Sequence, residues 1–384
     1  MNFKRAYFYT LGLILFATIG FAAGYIVKSL AIDGLAAMTI LSQAYNILEN
    51  HGWKSLPVAP ALEYGMIRGM LQVYDDPYTI FVEPVEHELQ SNTLQGSFGG
   101  IGVRLGRDAE GNHVLFPFPG SPADQAGVIE GDRLLAVDGT IVTVDTLVET
   151  IQAALRGPVG EWVQVELSRP PDFTAQNIKI KRSEIPLPSV TWHIDPDQPR
   201  LGVVEVNVIA SSTPDEVKSA FDDLAGRGAE AYVLDLRDNY GGLLTAGIDT
   251  ARLFLSEGEI LQQQYRDQDV ETFHVEKPGA LVDIPLAVLV NENTASAAEI
   301  IAGSLQAKNR AKLIGTPTYG KDSIQLVFDL SDGSSLHVTA AQWWIHGLDQ
   351  PLSNGLQPDV MIEPSSNEGP DPMIQAASQS LLGR

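Results

Sequence analysis

Between residues 185 and 364 the chain alternates strand and helix, and that alternation commits the region to an α/β domain built on a largely parallel sheet. Residues 201–208 read as a strand, 213–225 as a helix, 231–236 as a buried strand and 242–255 as a helix. The wholly apolar 284–290 is a further strand, followed by a helix over about 295–307 and a strand over 324–330. In such a domain functional groups gather where strands end and helices begin, because helix N-termini present free N–H groups there. Two strand-to-helix turns qualify: Asp235-Leu236-Arg237-Asp238-Asn239-Tyr240-Gly241-Gly242, and Asn291-Glu292-Asn293-Thr294-Ala295-Ser296-Ala297-Ala298-Glu299.

The remaining sequence divides into segments of different character. Residues 6–27 carry no charge and follow Lys4 and Arg5, enough apolar length to span a hydrocarbon core of roughly 30 Å. Residues 1–29 are therefore expected to be a membrane helix, retained as an anchor or cleaved as a signal segment at the small residues Ala22, Ala23 and Gly24, with everything beyond exported. Residues 30–90 form a small helical segment with apolar residues at helical spacing, the run over 61–73 being stopped by Asp76-Pro77. Residues 91–184 are β-rich, with short strands at 113–116, 133–137 and 162–167 and one helix over 144–155, and the stretch 365–384 is a polar tail. The chain is thus multidomain, as 384 residues with 44% apolar composition imply.

Composition excludes several chemistries. Asp and Glu outnumber Lys and Arg by 48 to 25, a field that repels phosphate backbones, so no nucleic-acid partner is expected. Without cysteine there is no thiol nucleophile, disulfide or thiolate metal site, and neither cofactor nor metal is expected.

The two turns admit ordinary and chemical readings. Gly241-Gly242 suits either a tight turn or exposed backbone donors for a developing oxyanion. Ser296-Ala297-Ala298-Glu299 matches a helix-capping box, and Ser296 becomes a nucleophile only with a base beside it. No Gly-x-Ser-x-Gly elbow occurs and the seven histidines are scattered, so lysine is the alternative base. Lys321, in the loop Thr316-Pro317-Thr318-Tyr319-Gly320-Lys321, otherwise a solvated surface charge, would need burial to lower its pKa, and Gln325 could hold the amine.

Taken together these segments resemble the C-terminal processing, or tail-specific, protease family over about residues 30–362. The resemblance rests on Asp76-Pro77-Tyr78-Thr79, Leu236-Arg237-Asp238-Asn239, Gly241-Gly242, Val290-Asn291-Glu292, Ala295-Ser296-Ala297, Gly320-Lys321 and Pro358-Asp359. Ser121-Pro122-Ala123, Ala126-Gly127, Gly131-Asp132 and Asp138-Gly139 resemble a PDZ domain. It implies Ser296 as nucleophile, Lys321 as general base, Gln325 as its orienting partner, and the N–H groups of Gly242 and Ala297 as the oxyanion hole. It implies further that Gly100, Ile101 and Gly102 receive the C-terminus of a peptide added to a sheet edge. Expected partners are protein or peptide substrates with free C-termini, the membrane through the N-terminal helix, and an adaptor or second copy of the chain.

The sequence departs from the family pattern at Tyr240, where proline is usual, and at Asp322, where glycine is usual and a carboxylate beside Lys321 would raise its pKa. Two other readings stay open on the sequence: a PDZ-based scaffold with an inactive protease domain, and a small-ester hydrolase with an unrecognised histidine base.

Overall fold

The computed structural model describes residues 38–170, 172–348, 354–363 and 369–383. The apolar stretch 6–27 lies outside them; among the described residues no helix is long and apolar enough to cross a membrane. Two compact units meet in sequence at Asp75/Asp76. The first contains α1 (Thr39–His51) and α2 (Ala61–Tyr74), as helical spacing predicts; α1 buries none of its residues. Asp75 closes α2 in the left-handed conformation, one residue before Asp76-Pro77.

The second unit begins with β1 (Ile80–Val82) and α3 (Pro84–Gln95), then a PDZ-like body entered and left through two paired strands, β2 (Ser97–Gly100) and β9 (Ser183–Pro186). Within that body lie β3 (Val103–Arg107), β4 (His113–Pro117), α4 (Pro122–Gln125), β5 (Asp132–Val137), β6 (Thr140–Ile141), α5 (Val148–Leu155), β7 (Trp162–Arg169) and β8 (Thr174–Lys181). Its sheet runs β3-β4-β5-β7-β8, so β3 is an edge strand. Ile101, Leu115, Leu134, Ile151, Val163 and Val165 fill its own core.

The α/β body follows: β10 (Val190–Ile194), β11 (Leu201–Val206), α6 (Thr213–Gly226), β12 (Ala231–Asp235), α7 (Leu244–Arg252), β13 (Glu259–Tyr265), β14 (Glu271–His274), β15 (Leu286–Val290), α8 (Ala297–Ala307), β16 (Lys312–Gly315), β17 (Ser323–Asp329), β18 (Ser335–Trp344), β19 (Val360–Met361) and α9 (Pro372–Leu382). The main sheet has the order β10-β11-β12-β15-β16-β19, parallel throughout except for β10. Alternate residues of β12 and β15 feed opposite faces, which is why both strands are apolar at every position but the last of β12, Asp235. Leu234, Val288 and Val290 join a core with α6, α7 and α8, whereas Val233, Ala287 and Leu289 pack with Met373 and Ala377 of α9.

Two sequence expectations change here. The 365–384 stretch is not a peripheral tail: Met373 and Ala377, four apart on one helix face, cover the second face of the sheet. Residues 76–90 also belong to the second unit: Ile80–Val82 is a strand that pairs antiparallel with Ser335–His337 in a second sheet formed by β1, β18, β13, β14 and β17, while the helical expectation holds from Pro84 on. Trp343 is core, 2% exposed.

Met373→Ala empties a buried site under the sheet and should lower unfolding free energy by roughly 2–5 kcal/mol in a denaturant titration. A loss below about 0.5 kcal/mol, the size of an ordinary surface substitution, would show that α9 is not part of the core.

Candidate active site

Ser296 sits at the junction of β15 and α8 with φ 55° and ψ −120°. Positive φ is uncommon for a residue with a Cβ and persists only where the surroundings hold it. The strand-to-helix turn therefore has the strain of a nucleophile elbow without its glycines, Thr294 and Ala298 standing at the two positions where glycine is usual. Three bonds hold it. The Ser296 N–H donates to Glu299 Oε2 at 2.8 Å, Ala295 N–H to the Asn239 carbonyl at 2.9 Å, and the Thr294 hydroxyl to the Leu236 carbonyl at 2.8 Å. The capping-box arrangement read from Ser296 and Glu299 is thus present and coexists with the strained conformation.

Glu299 does more than cap. It is 0% exposed, and its other contacts all reach the lysine loop. Oε1 accepts from the Thr318 hydroxyl at 2.5 Å and from Gly320 N–H at 2.7 Å, and Oε2 accepts from Lys321 N–H at 3.0 Å. Ser296 and Lys321 therefore share one carboxylate oxygen through their backbones. Burial pushes the Glu299 carboxyl above the ordinary carboxylate range, and the Thr318 hydroxyl and the three N–H donors pull it back.

Lys321 is half-buried, and its Nζ donates to Gln325 Oε1 at 2.8 Å and lies 5.0 Å from the Tyr78 ring centroid. Gln325 Nε2 in turn donates to the Tyr78 carbonyl. Burial holds the amine below the ordinary lysine value, while the carboxylates of Asp76 and Glu299 pull it partly back up. Asp322, expected from sequence to act on the amine, is not among these influences; its carbonyl takes the Trp343 N–H at 2.9 Å, building the neighbouring sheet. Asp76 closes a turn, accepting from Tyr78 N–H at 3.1 Å and the Thr79 hydroxyl at 2.6 Å. The Tyr78 phenol, hydrogen-bonded to Tyr319 and partly buried, is pushed up to about 12 and stays neutral.

The Gly241-Gly242 turn packs directly on Ser296. Gly241 has φ 99°, and a Cβ there would stand 2.9 Å from Ser296 Cβ and 2.8 Å from the Ala295 carbonyl oxygen. Gly242 has φ 151°, and a Cβ there would stand 2.1 Å from the Ile209 carbonyl oxygen. Only glycine fits either position. Among the described residues the N–H groups of Gly242 and Ala297 have no hydrogen-bond partner, and Ala297 opens α8 where the helix dipole is positive. Arg237 does not pair with Asp238: it bonds Asp235 and, at 2.6 Å, Asp371 at the start of α9, while Asp238 takes the Asn291 and Asn293 amides. Tyr240 is 73% exposed.

Gly100, Ile101 and Gly102 line a small groove in the PDZ-like body together with Val103, Leu105, Gln152 and Leu155. Gly102 has φ 71°, and the groove follows the edge strand β3 with α5 alongside.

Four contributors were not assigned from the sequence: Glu299, Asn239, Asp76 and Tyr78. Glu299 was visible only as a cap residue; its reach to the loop depends on a contact across 22 positions. Asn239 is fully buried, its Oδ1 accepting from Gly241 N–H at 2.8 Å and its Nδ2 donating to the Val206 carbonyl at 2.6 Å; its place in the Leu236-Arg237-Asp238-Asn239 motif was the available signal. Asp76 and Tyr78 carried a motif signal but stood far from Lys321 in sequence.

Family models match both the PDZ-like body and the α/β body of the second unit. A model of peptidase family S41 matches residues 200–362 and a PDZ-domain model matches residues 118–169. The chain is 36% identical over 308 residues to a carboxyl-terminal-processing protease of Picosynechococcus sp., covering 78% of this chain and 72% of that one. It is 33% identical over 306 residues to the carboxy-terminal processing protease CtpA of Bacillus subtilis, covering 78% and 63%. Among solved structures it is similar to a photosystem II D1 C-terminal processing protease, at 31% identity, TM-score 0.46, and 83% and 86% coverage.

The environment of Lys321 predicts that its amine titrates below the roughly 10.4 of an ordinary lysine, measurable by heteronuclear NMR of the labelled side chain. Asp76→Asn removes a carboxylate that favours the charged amine, so it should lower that value further. A titration at or above the ordinary value, or an upward shift in Asp76→Asn, would contradict the burial argument.

Proposed function

The chain belongs to the carboxyl-terminal-processing proteases of peptidase family S41 and is a serine-type peptidase carrying a PDZ domain; from that premise we propose that Ser296 and Lys321 form its catalytic dyad and that the PDZ groove captures substrate tails. The observation that carries the reading is the shared Glu299 carboxylate, which fixes a strained serine and a half-buried, pKa-lowered lysine in one hydrogen-bonded unit.

In this mechanism neutral Lys321 takes the proton from Ser296 Oγ as Oγ attacks the scissile carbonyl carbon. The carbonyl π pair moves onto oxygen, and the oxyanion is met by the N–H groups of Gly242 and Ala297. Collapse of the tetrahedral intermediate breaks the C–N bond, and the leaving amine takes its proton from the Lys321 ammonium. Water then attacks the acyl-enzyme, giving its proton to Lys321, and the released Ser296 oxygen recovers one. Gln325 holds the amine on the Tyr78 side between steps.

The tail of a substrate with apolar terminal residues would add as a strand to β3, its carboxylate meeting the Gly100-Ile101-Gly102 backbone. The apolar stretch over 6–27 supports action outside the cytoplasm on a membrane-attached or exported chain.

Incubated with an unstructured protein ending in apolar residues, the wild-type protein should cleave it. Ser296→Ala and Lys321→Ala should each lower kcat by about 10³-fold or more. Lys321→Arg should be equally inactive, because guanidinium stays protonated. Binding without cleavage by the wild type, or cleavage that survives Lys321→Ala, contradicts the dyad.

A further inference from the structure

β17 has one paired edge and one open edge. β18 takes the whole of one side, with Gln325 opposite Thr339 and Asp329 opposite Ser335. Among the described residues no strand pairs with the other side. The Leu330 N–H donates to the Ser334 carbonyl at 2.8 Å, which sets the antiparallel alternation beyond it. Leu326 and Phe328 turn their backbone groups towards β18. Gln325, Val327 and Asp329 turn theirs outward.

An open edge is a template for another extended chain, and folds that avoid pairing place lysine or proline there. The run Leu326-Val327-Phe328 has neither, and its residues are 37%, 47% and 51% exposed. The strand is also held rigid. His87 of α3 bonds Asp329 at 2.9 Å and the Ser335 hydroxyl at 2.9 Å, tying the hairpin tip to the body. At its other end the strand carries Gln325, the residue bonded to the Lys321 amine.

We propose that the outer edge of β17 is the docking strand for the substrate polypeptide, which adds to it as a further extended strand while its scissile carbonyl lies at Ser296. The proposal rests on the peptidase reading and adds to it how the chain is held beside the dyad. The occupant is an unfolded segment, because only an extended backbone offers alternating N–H and C=O groups to match those of Gln325, Val327 and Asp329. The edge begins at Gln325, whose side chain bonds the Lys321 amine at 2.8 Å, so a chain paired there lies next to the residue that would take the Ser296 proton. Substrate side chains falling beside Leu326 and Phe328 are apolar, and the alternate ones fall on the face of Val327 and Asp329.

The test uses a fluorogenic peptide cleaved by the wild-type protein and analogues N-methylated at one backbone nitrogen at a time. Methylation should lower kcat/KM by about tenfold or more at alternate positions only, since every second N–H points at the edge. Val327→Pro removes the outward N–H of Val327 and no bond to β18, so it should raise KM by about tenfold with a near-native melting temperature. Losses at every position or at none, or an unchanged KM in Val327→Pro, overturn the proposal. So does a Val327→Pro protein that cleaves normally but no longer self-associates, which would assign the edge to a second copy of the chain. Failure of the wild type to cleave the unmethylated peptide removes the peptidase reading, and this proposal with it.

Discussion

One buried carboxylate organises the site. Glu299 accepts the N–H groups of Ser296, Gly320 and Lys321 and the hydroxyl of Thr318, so the turn after β15 and the loop before β17 close on the same two oxygens. A carboxylate out of water is costly unless its lone pairs are filled, and here four donors fill them. The same bonds that satisfy Glu299 hold Ser296 at positive φ and fix where Lys321 leaves the backbone. The Thr318 hydroxyl extends the unit by accepting Leu356 N–H at 2.7 Å, and Tyr319 N–H reaches the Thr294 carbonyl at 3.0 Å.

Around this clamp two opposing electrostatic influences act on the lysine. Asp76 and Glu299 favour its charged form, and burial beside Tyr78 disfavours it; burial is the larger. The Asp76 turn matters here for a second reason: it starts the strand that pairs with β18, and Gln325 bonds the Tyr78 carbonyl. The second sheet therefore supplies the wall, the orienting amide and the nearby negative charge, while the parallel sheet supplies the serine and the glycine turn.

The parts legible in the sequence were those with local periodicity. The strands Leu201–Val206, Ala231–Asp235 and Leu286–Val290 and the helices that follow them fall within a few residues of their expected spans, because both cores demand uncharged, mostly apolar residues along the central strands, Glu205 and Asp235 near the strand ends being the exceptions. The glycine turn, Ser296, Lys321 and Gln325 were legible as motifs at element ends; Glu299 bonds the backbones of Ser296 and Lys321, Lys321 Nζ bonds Gln325, and Gly241 packs on Ser296. What was not legible depended on distance along the chain. The antiparallel sheet around β18 joins residues 80–82 to 335–337, and no local pattern announces such a pairing. Asp371 and Met373 read as part of a polar tail because the partners that give them a role, Arg237 for Asp371 and the central-strand residues Val233, Ala287 and Leu289 for Met373, are more than 80 positions away. Asp322 was misjudged for the converse reason: adjacency in sequence suggested an influence on Lys321 that its placement does not give it.

If the Glu299 clamp sets the geometry of catalysis, its charge and acceptor capacity matter more than its volume. Glu299→Gln keeps the volume and replaces an acceptor oxygen with an amide that cannot accept the backbone N–H groups. The decisive measurement is kcat for this variant on a protein substrate, alongside its melting temperature. The account predicts a fall in kcat of about 10²-fold or more, with KM changed little and the chain still cooperatively folded. A folded Glu299→Gln protein with wild-type kcat would contradict it.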